Sequence, residues 1–207
     1  MTSILTNNSA MVALQTLKNI NSQLGKTQSD IATGKTVANA KDNAAVWAIS
    51  KVMETDQSSF KTIQSNLNVA EATVATARNG AEQITNILKE MKELAIGGAN
   101  DAADHGKIQT DIAAKKEQIT AIINGSQLNG VNLLKTNPTG TNTAFTVLGS
   151  LNRTNGTVAT GASNIAVASV NFEGALDLTT VATITNRATA ETAIGSIEAL
   201  INTAVTG

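Results

Sequence analysis

The chain has no cysteine and no tyrosine, one proline, one histidine and one tryptophan in 207 residues. Without cysteine there is no disulfide framework, no thiolate metal site and no cysteine nucleophile. A single histidine, His105, leaves only one candidate base for a nucleophile–base pair. Aromatics make up 2% of the chain, so a thick globular core is poorly supplied. Lys and Arg number 15 against 16 Asp and Glu, with no block of like charge. Nucleic acid as a main partner needs clustered cations and is disfavoured, as is an electrostatic membrane surface. No run approaches the length of a membrane span. Residues Met1 to Ser9 lack the basic start and apolar run of a cleaved secretory signal.

What the chain does have is period. From Phe60 to Ala95 a three–four hydrophobic step runs through Phe60, Ile63, Leu67, Ala70, Val74, Ala77, Ala81, Ile84, Leu88, Met91 and Ala95. These residues predict a helix about 54 Å long at 1.5 Å per residue, with an apolar seam that needs other helices to cover it. An earlier amphipathic helix is carried by Leu14, Leu17, Ile20, Leu24 and Ile31, with Gln28 and Gly25 thinning its stripe. So sparse a stripe predicts disorder in the monomer and order only on packing. Gly34 and residues 36–43 break the pattern, and Asn39, Asp42 and Asn43 suit a turn and a cap.

A short apolar helix with Trp47 follows, expected to reach the long one through a kink or loop near Asp56–Ser59. The long helix is expected to stop at Gly97-Gly98. A second helix over 107–124 carries Ile108, Ile112, Ile119 and Ile122, making an antiparallel helical hairpin. Asn129-Gly130 reads as a tight turn. Residues 136–186 change to a Thr/Asn/Gly/Ser-rich composition, with strands expected at Phe145–Leu148 and Ile165–Val170. Ala190, Ile194, Ile197, Ile201 and Ala204 resume the helical step. The fold class is mainly α: a long antiparallel helical bundle or coiled-coil core with a small β-hairpin unit at one end. Its expected divisions are 1–43, an N-terminal helix and linker; 44–134, the helical core hairpin; 135–186, a short β-rich region; and 187–207, the start of a further core helix.

Sites for chemistry are scarce. Asp101, Asp104 and His105 form the one cluster suggestive of metal, but a solvated turn with Asp104 as a helix cap explains them better, so no metal, cofactor or catalytic residue is assigned. Trp47 on an Ala-rich helix reads as a packing residue, and Glu54, Asp56 and Lys89/Glu93 as solvated faces or i,i+4 partners. Asn-X-Ser/Thr matches at Asn7, Asn152 and Asn155 are expected by chance in such a composition.

Four stretches, in order, carry a resemblance: the amphipathic opening Ile4–Ile31; Gly34-Lys35 followed by Asn39–Ala45; Leu88-Lys89-Glu90-Met91-Lys92-Glu93-Leu94-Ala95; and Gln127-Leu128-Asn129-Gly130-Val131-Asn132-Leu133-Leu134. Together the chain resembles the N-terminal and central part of bacterial flagellin. The resemblance implies a structural, self-assembling subunit of the extracellular flagellar filament, serving swimming motility and packing against copies of itself. It also implies export, without a cleaved signal, through the flagellar type III apparatus with a chaperone. The residues it would place in core or subunit packing are Leu14, Leu17, Ile20, Leu24, Ile31, Phe60, Ile63, Leu67, Val74, Ile84, Leu88 and Met91.

The family's C-terminal half is expected to complete the bundle, so the sequence reads as truncated at Gly207. Glu90 stands where receptor-activating members of the family carry arginine, with Leu94 and Asp111 at the neighbouring contact positions, implying weak or no activation of the vertebrate flagellin receptor, Toll-like receptor 5. Two rivals remain open: a hook–filament junction protein, and a flagellin-like surface protein binding polysaccharide through the β unit, where Phe145 and Phe172 are the only aromatics.

Overall fold

The computed structural model describes residues 7–140, 142–151 and 163–206, and the backbone of 153–154 and 157–158. The Asn-X-Ser/Thr matches at Asn152 and Asn155 lie outside the described residues. Helices dominate: α1 (Asn8–Thr33), α2 (Ala44–Gly98), α3 (His105–Gly125), a short α4 (Phe172–Ala175) and α5 (Arg187–Thr206). Among the described residues, β1 (Ala144–Leu148), β2 (Arg153–Thr154), β3 (Thr157–Val158) and β4 (Asn164–Ala168) form two-stranded antiparallel sheets, β1–β4 and β2–β3. The chain divides into two compact units, Met1–Ser59 and Phe60–Gly207, so the first turns of α2 belong to one unit and the rest to the other.

In the first unit, Asn7 caps α1 by accepting from Ala10 N at 3.2 Å, and Gly34 ends it in the left-handed conformation, φ 64°. The Asp42 carboxylate accepts from the backbone N–H of Ala38 and Asn39, and Asn43 Oδ1 accepts from Val46 N, starting α2. The loop allowed for near Asp56–Ser59 is not there: those residues are helical. The hydroxyls of this stretch bond back along the helix. Thr55 Oγ1 donates to Lys51 O at 2.9 Å and Ser59 Oγ to Thr55 O at 2.8 Å, so they satisfy helical carbonyls four residues back.

In the second unit α2 buries Ile63, Ala70, Thr73, Ala77, Gly80, Ile84, Leu88, Met91, Ala95 and Gly98. The step departs from the sequence expectation at Phe60, which is exposed, and shifts by one residue at two later places. Thr73, not Val74, points inward, its hydroxyl donating to Val69 O at 2.8 Å; and Gly80, not Ala81, sits deepest in its turn. The reason is close approach. A Cβ at Gly80 would stand 2.3 Å from Ser126 Oγ and 2.9 Å from Leu134 Cδ1, so the segment after α3 presses directly on the α2 backbone there.

Opposite α2, α3 contributes Ile112, Ile119 and Ile123, with Ile108 and Ile122 partly covered. In α5, Ala190, Ala193, Ile197, Leu200 and Ala204 are buried while Ile194 and Ile201 flank them, so the inward line runs one residue off the expected one at two steps. Small residues again take the inward places. At Gly98, an added Cβ would meet Ala190 Cβ at 3.4 Å, which shows how near the start of α5 comes to the end of α2.

The connections are held by hydrogen bonds. Asn129 (φ 51°) and Gly130 (φ 80°) form the expected two-residue turn, closed by reciprocal bonds between Leu128 and Val131. Buried Asn132 donates from Nδ2 to Ile123 O at 2.6 Å and accepts at Oδ1 from Leu134 N, tying the loop after α3 to the end of that helix. β1 and β4 pair from Ala144↔Ala168 to Leu148↔Asn164, shorter on the β4 side than the expected 165–170. Ser169 and Val170 leave the strand to bond the 133–135 backbone: Ser169 Oγ donates to Leu133 O and Lys135 O, and Val170 N to Leu133 O. The extended stretch before α5 is gripped by α3 side chains. Lys116 Nζ donates to Val181 O at 3.1 Å and Ile184 N donates to Gln109 Oε1 at 2.7 Å.

The tight α2 surface at Gly80 yields a prediction. Gly80→Val should destabilise the second unit by about 1–3 kcal/mol, because the added methyls have no free volume and force Ser126 and Leu134 aside. Thermal unfolding measures it; a variant as stable as the parent contradicts the close packing.

Candidate functional site: an uncovered apolar stripe and its charged neighbours

The first unit presents the larger surface feature. None of residues 7–59 is buried. On α1, Leu14, Leu17, Ile20 and Leu24 are 55–66% exposed and Ile31 76%, and Met11 and Val12 extend the same apolar content towards its start. The early part of α2 adds exposed Val46, Ile49, Val52 and Met53. Single exposed leucines are ordinary, but a run of them along one helix is an unmet demand for burial. Of the α2 residues expected in packing, Ile63, Ile84, Leu88 and Met91 are buried, Leu67 is half-buried, and Phe60 and Val74 are exposed at 52% and 41%.

Charge orders the neck of this unit. Lys35, just past α1, places Nζ 2.9 Å from Glu54 Oε1, and Lys51 places its own 2.7 Å from Oε2. The hydrogen bond from Lys51, then that from Lys35, holds the Glu54 carboxyl at about 2. A carboxyl depressed in the folded chain keeps its pairing above the ordinary glutamate pKa and loses it as pH falls towards 2. From the sequence Glu54 is expected on a solvated face or in an i,i+4 pair. Its partner Lys35 lies nineteen residues away across a turn, a pairing that no local pattern signals.

In the second unit, the α2 residues 90–94 bridge to helices on both sides. Lys115 Nζ lies 2.5 Å from Glu90 Oε2, and Lys92 Nζ lies 2.8 Å from Glu198 Oε1, while Met91 between them is fully buried. Lys115 stands one turn past Asp111 on α3, so Glu90 and the exposed Asp111 border one surface; Leu94 is half-buried against the core. Lys116, adjacent to Lys115, turns to the other side, where burial pushes its amine below the ordinary lysine range. The loop that raised the question of metal is otherwise engaged. Asp104 Oδ1 accepts from Lys107 N at 3.1 Å as the α3 cap, and His105 Nε2 lies 2.9 Å from Gly98 O. Among the described residues no group of three or more potential metal-binding side chains gathers. Trp47 is half-buried in the first unit, and Phe145 and Phe172 face the core rather than an open sugar platform: Phe172 is 1% exposed and Phe145 packs against the cluster. No described helix is long and apolar enough to cross a membrane.

Comparison with known proteins bears on this arrangement directly. The family model of the bacterial flagellin N-terminal helical region matches residues 4–139. Flagellin A of Rhizobium meliloti is 38% identical over 172 residues, covering 83% of this chain and 42% of its own length. Flagellin FljK of Caulobacter vibrioides is 33% identical over 205 residues, covering 98% of this chain and 71% of its own. The chain thus spans about four-tenths of the Rhizobium relatives it matches. A crystal structure of Bacillus cereus flagellin superposes with a TM-score of 0.56 over 69% of this chain and 78% of that one at 24% identity, a likeness of fold.

Proposed function

Because the chain belongs to the bacterial flagellin family, we propose that it acts as a structural subunit of an extracellular flagellar filament, assembling with copies of itself for swimming motility and catalysing no reaction. The observation that carries this reading is the exposed stripe of α1, Leu14, Leu17, Ile20, Leu24 and Ile31. In a lattice each copy offers the same stripe, and burying it at about 25 cal/mol per Å² of apolar area gives many modest contacts that sum along the polymer. The second unit, with its own core of Ile84, Leu88, Met91, Ile112, Ile119 and Ile197, supplies a rigid body to be arrayed. The same exposure supports passage through an export channel with a chaperone, since α1 has no packing of its own to undo. The junction-protein and polysaccharide-binding readings have less support. The relatives matched here are named flagellins, and the aromatics of the β unit pack inward.

Carried by the full protein in its cell, Leu17→Asp with Leu24→Asp should abolish filaments in electron micrographs and swimming in soft agar, while the melting of the second unit stays within about 0.5 kcal/mol of the parent. Filaments of normal length from this double variant would refute the assembly stripe.

The reading extends to recognition by the vertebrate flagellin receptor, which we propose this protein engages weakly. Glu90 is an exposed carboxylate held by Lys115 at 2.5 Å, at a position where the family's activators offer an arginine. The change replaces a five-donor cation with an acceptor. Reporter cells bearing Toll-like receptor 5 should respond poorly, with Glu90→Arg recovering only part of the response. A full response from the parent protein would overturn this expectation.

A further inference from the structure

The β1–β4 pair leaves one strand edge open. Ser169 N donates to Thr143 O and Gly149 N to Ser163 O, so the odd-numbered residues of β4 carry the hydrogen bonds to β1. In an antiparallel ladder the bonded side of a strand alternates from residue to residue. The N–H and C=O groups of Asn164, Ala166 and Ala168 therefore point away from β1. Among the described residues no backbone group pairs with them. On the other side of the pair, β1 borders α2, where Phe145, Thr146, Val147 and Leu148 line one cleft with Asn66 and Val69. The outer strand is thus β4, and all of it but the half-buried Val167 is exposed.

An open edge is a template for a further strand, and natural sheets blunt it with lysine, proline or a bulge. Residues 163–171 hold no charged residue and no proline, and the β1–β4 register runs without a bulge. A strand of the same sequence fits this edge. Turned antiparallel about Ala166, a second β4 sets Asn164 opposite Ala168, Ala166 opposite Ala166 and Ala168 opposite Asn164. Each of these pairs exchanges two hydrogen bonds through the outward groups. The same register sets Ile165 of each copy, 50% exposed in the single chain, opposite Val167 of the other, two apolar cross-strand pairs on one face. A register shifted by one residue would set the outward groups against residues already bonded to β1. We propose that the outer edge of β4 is a strand-pairing surface whose partner is β4 of a second copy, antiparallel and two-fold about Ala166. Such an isologous contact closes on two copies and does not propagate, so it stands or falls independently of the filament reading.

The test uses the full chain carrying Leu17→Asp and Leu24→Asp, so that the α1 stripe offers no route to association. Amide hydrogen exchange is followed residue by residue in dilute and in concentrated solution. On concentration, the amides of Asn164, Ala166 and Ala168 should slow about tenfold or more, while those of Ile165 and Val167, bonded to β1, are protected throughout. Ala166→Pro removes one outward N–H and spares the β1 ladder, so the slowing at Asn164 and Ala168 should vanish with Ile165 and Val167 still protected. Ala166→Lys sets two like charges face to face and should abolish the slowing at low salt. Asn164→Lys with Ala168→Glu, opposite one another in this register, should retain it. These charge variants decide the matter if Ala166→Pro disturbs the hairpin itself. Exchange at the three amides that is indifferent to concentration would overturn the pairing. So would slowing that survives Ala166→Pro in an intact hairpin, or slowing that Ala166→Lys leaves unchanged.

Discussion

A helix with an apolar stripe must have that stripe covered, and this chain supplies the cover for only part of its helical surface. From Ile63 onward the inward line of α2 meets α3, the loop after it and α5, and Ile84, Leu88, Met91 and Ala95 lose all contact with water. Before that point, α1 and the first turns of α2 meet nothing comparable, and their leucines and isoleucines stay half or more exposed. Everything else in the molecule follows from which side of that divide a residue stands on. Past it, packing decides positions; before it, caps, turns and ion pairs do.

Past the divide the packing is of a particular kind. Thr73, Ala77, Gly80, Ala95, Gly98, Ala190 and Ala193 occupy inward positions where larger side chains would hold the elements apart. Small residues let backbones approach closely, and the few large ones, Phe172 and Leu134 among them, fill the remaining space. A chain with 2% aromatics builds a dense core in this way by bringing backbones together rather than by filling a wide interior. The loops are then held by single buried groups such as Asn132, and the strand-to-helix connection before α5 by the reach of Lys116 and Gln109 from α3.

The mainly α class, the α2–α3 hairpin, the Asn129-Gly130 turn and the β1–β4 pair were legible because each has a local signal: a three–four step, a cap, a turn dipeptide, an alternating run. The errors share a cause. Val74 outranks Thr73 as an apolar letter, yet a threonine that bonds its own helix carbonyl fits the tighter space. The polar stretch at Asp56–Ser59 reads as a kink or loop, yet the Thr55 and Ser59 hydroxyls fold back onto helix carbonyls. The Glu90–Lys115 and Lys35–Glu54 pairs join residues distant in sequence, and only the fold brings them together. Local chemistry is written in the sequence; which of two adjacent residues faces a neighbour is decided by the neighbour.

Among the described residues, the chain buries an apolar core within 63–206 and buries none of residues 7–59. Native-state hydrogen exchange on the dilute, unassembled chain measures this residue by residue. Backbone amides around Leu88, Met91 and Ile119 should exchange only through global unfolding, while those of α1 exchange orders of magnitude faster. Amides around Leu17 and Leu24 sharing the protection of the core, in chains shown to be monomeric, would contradict it.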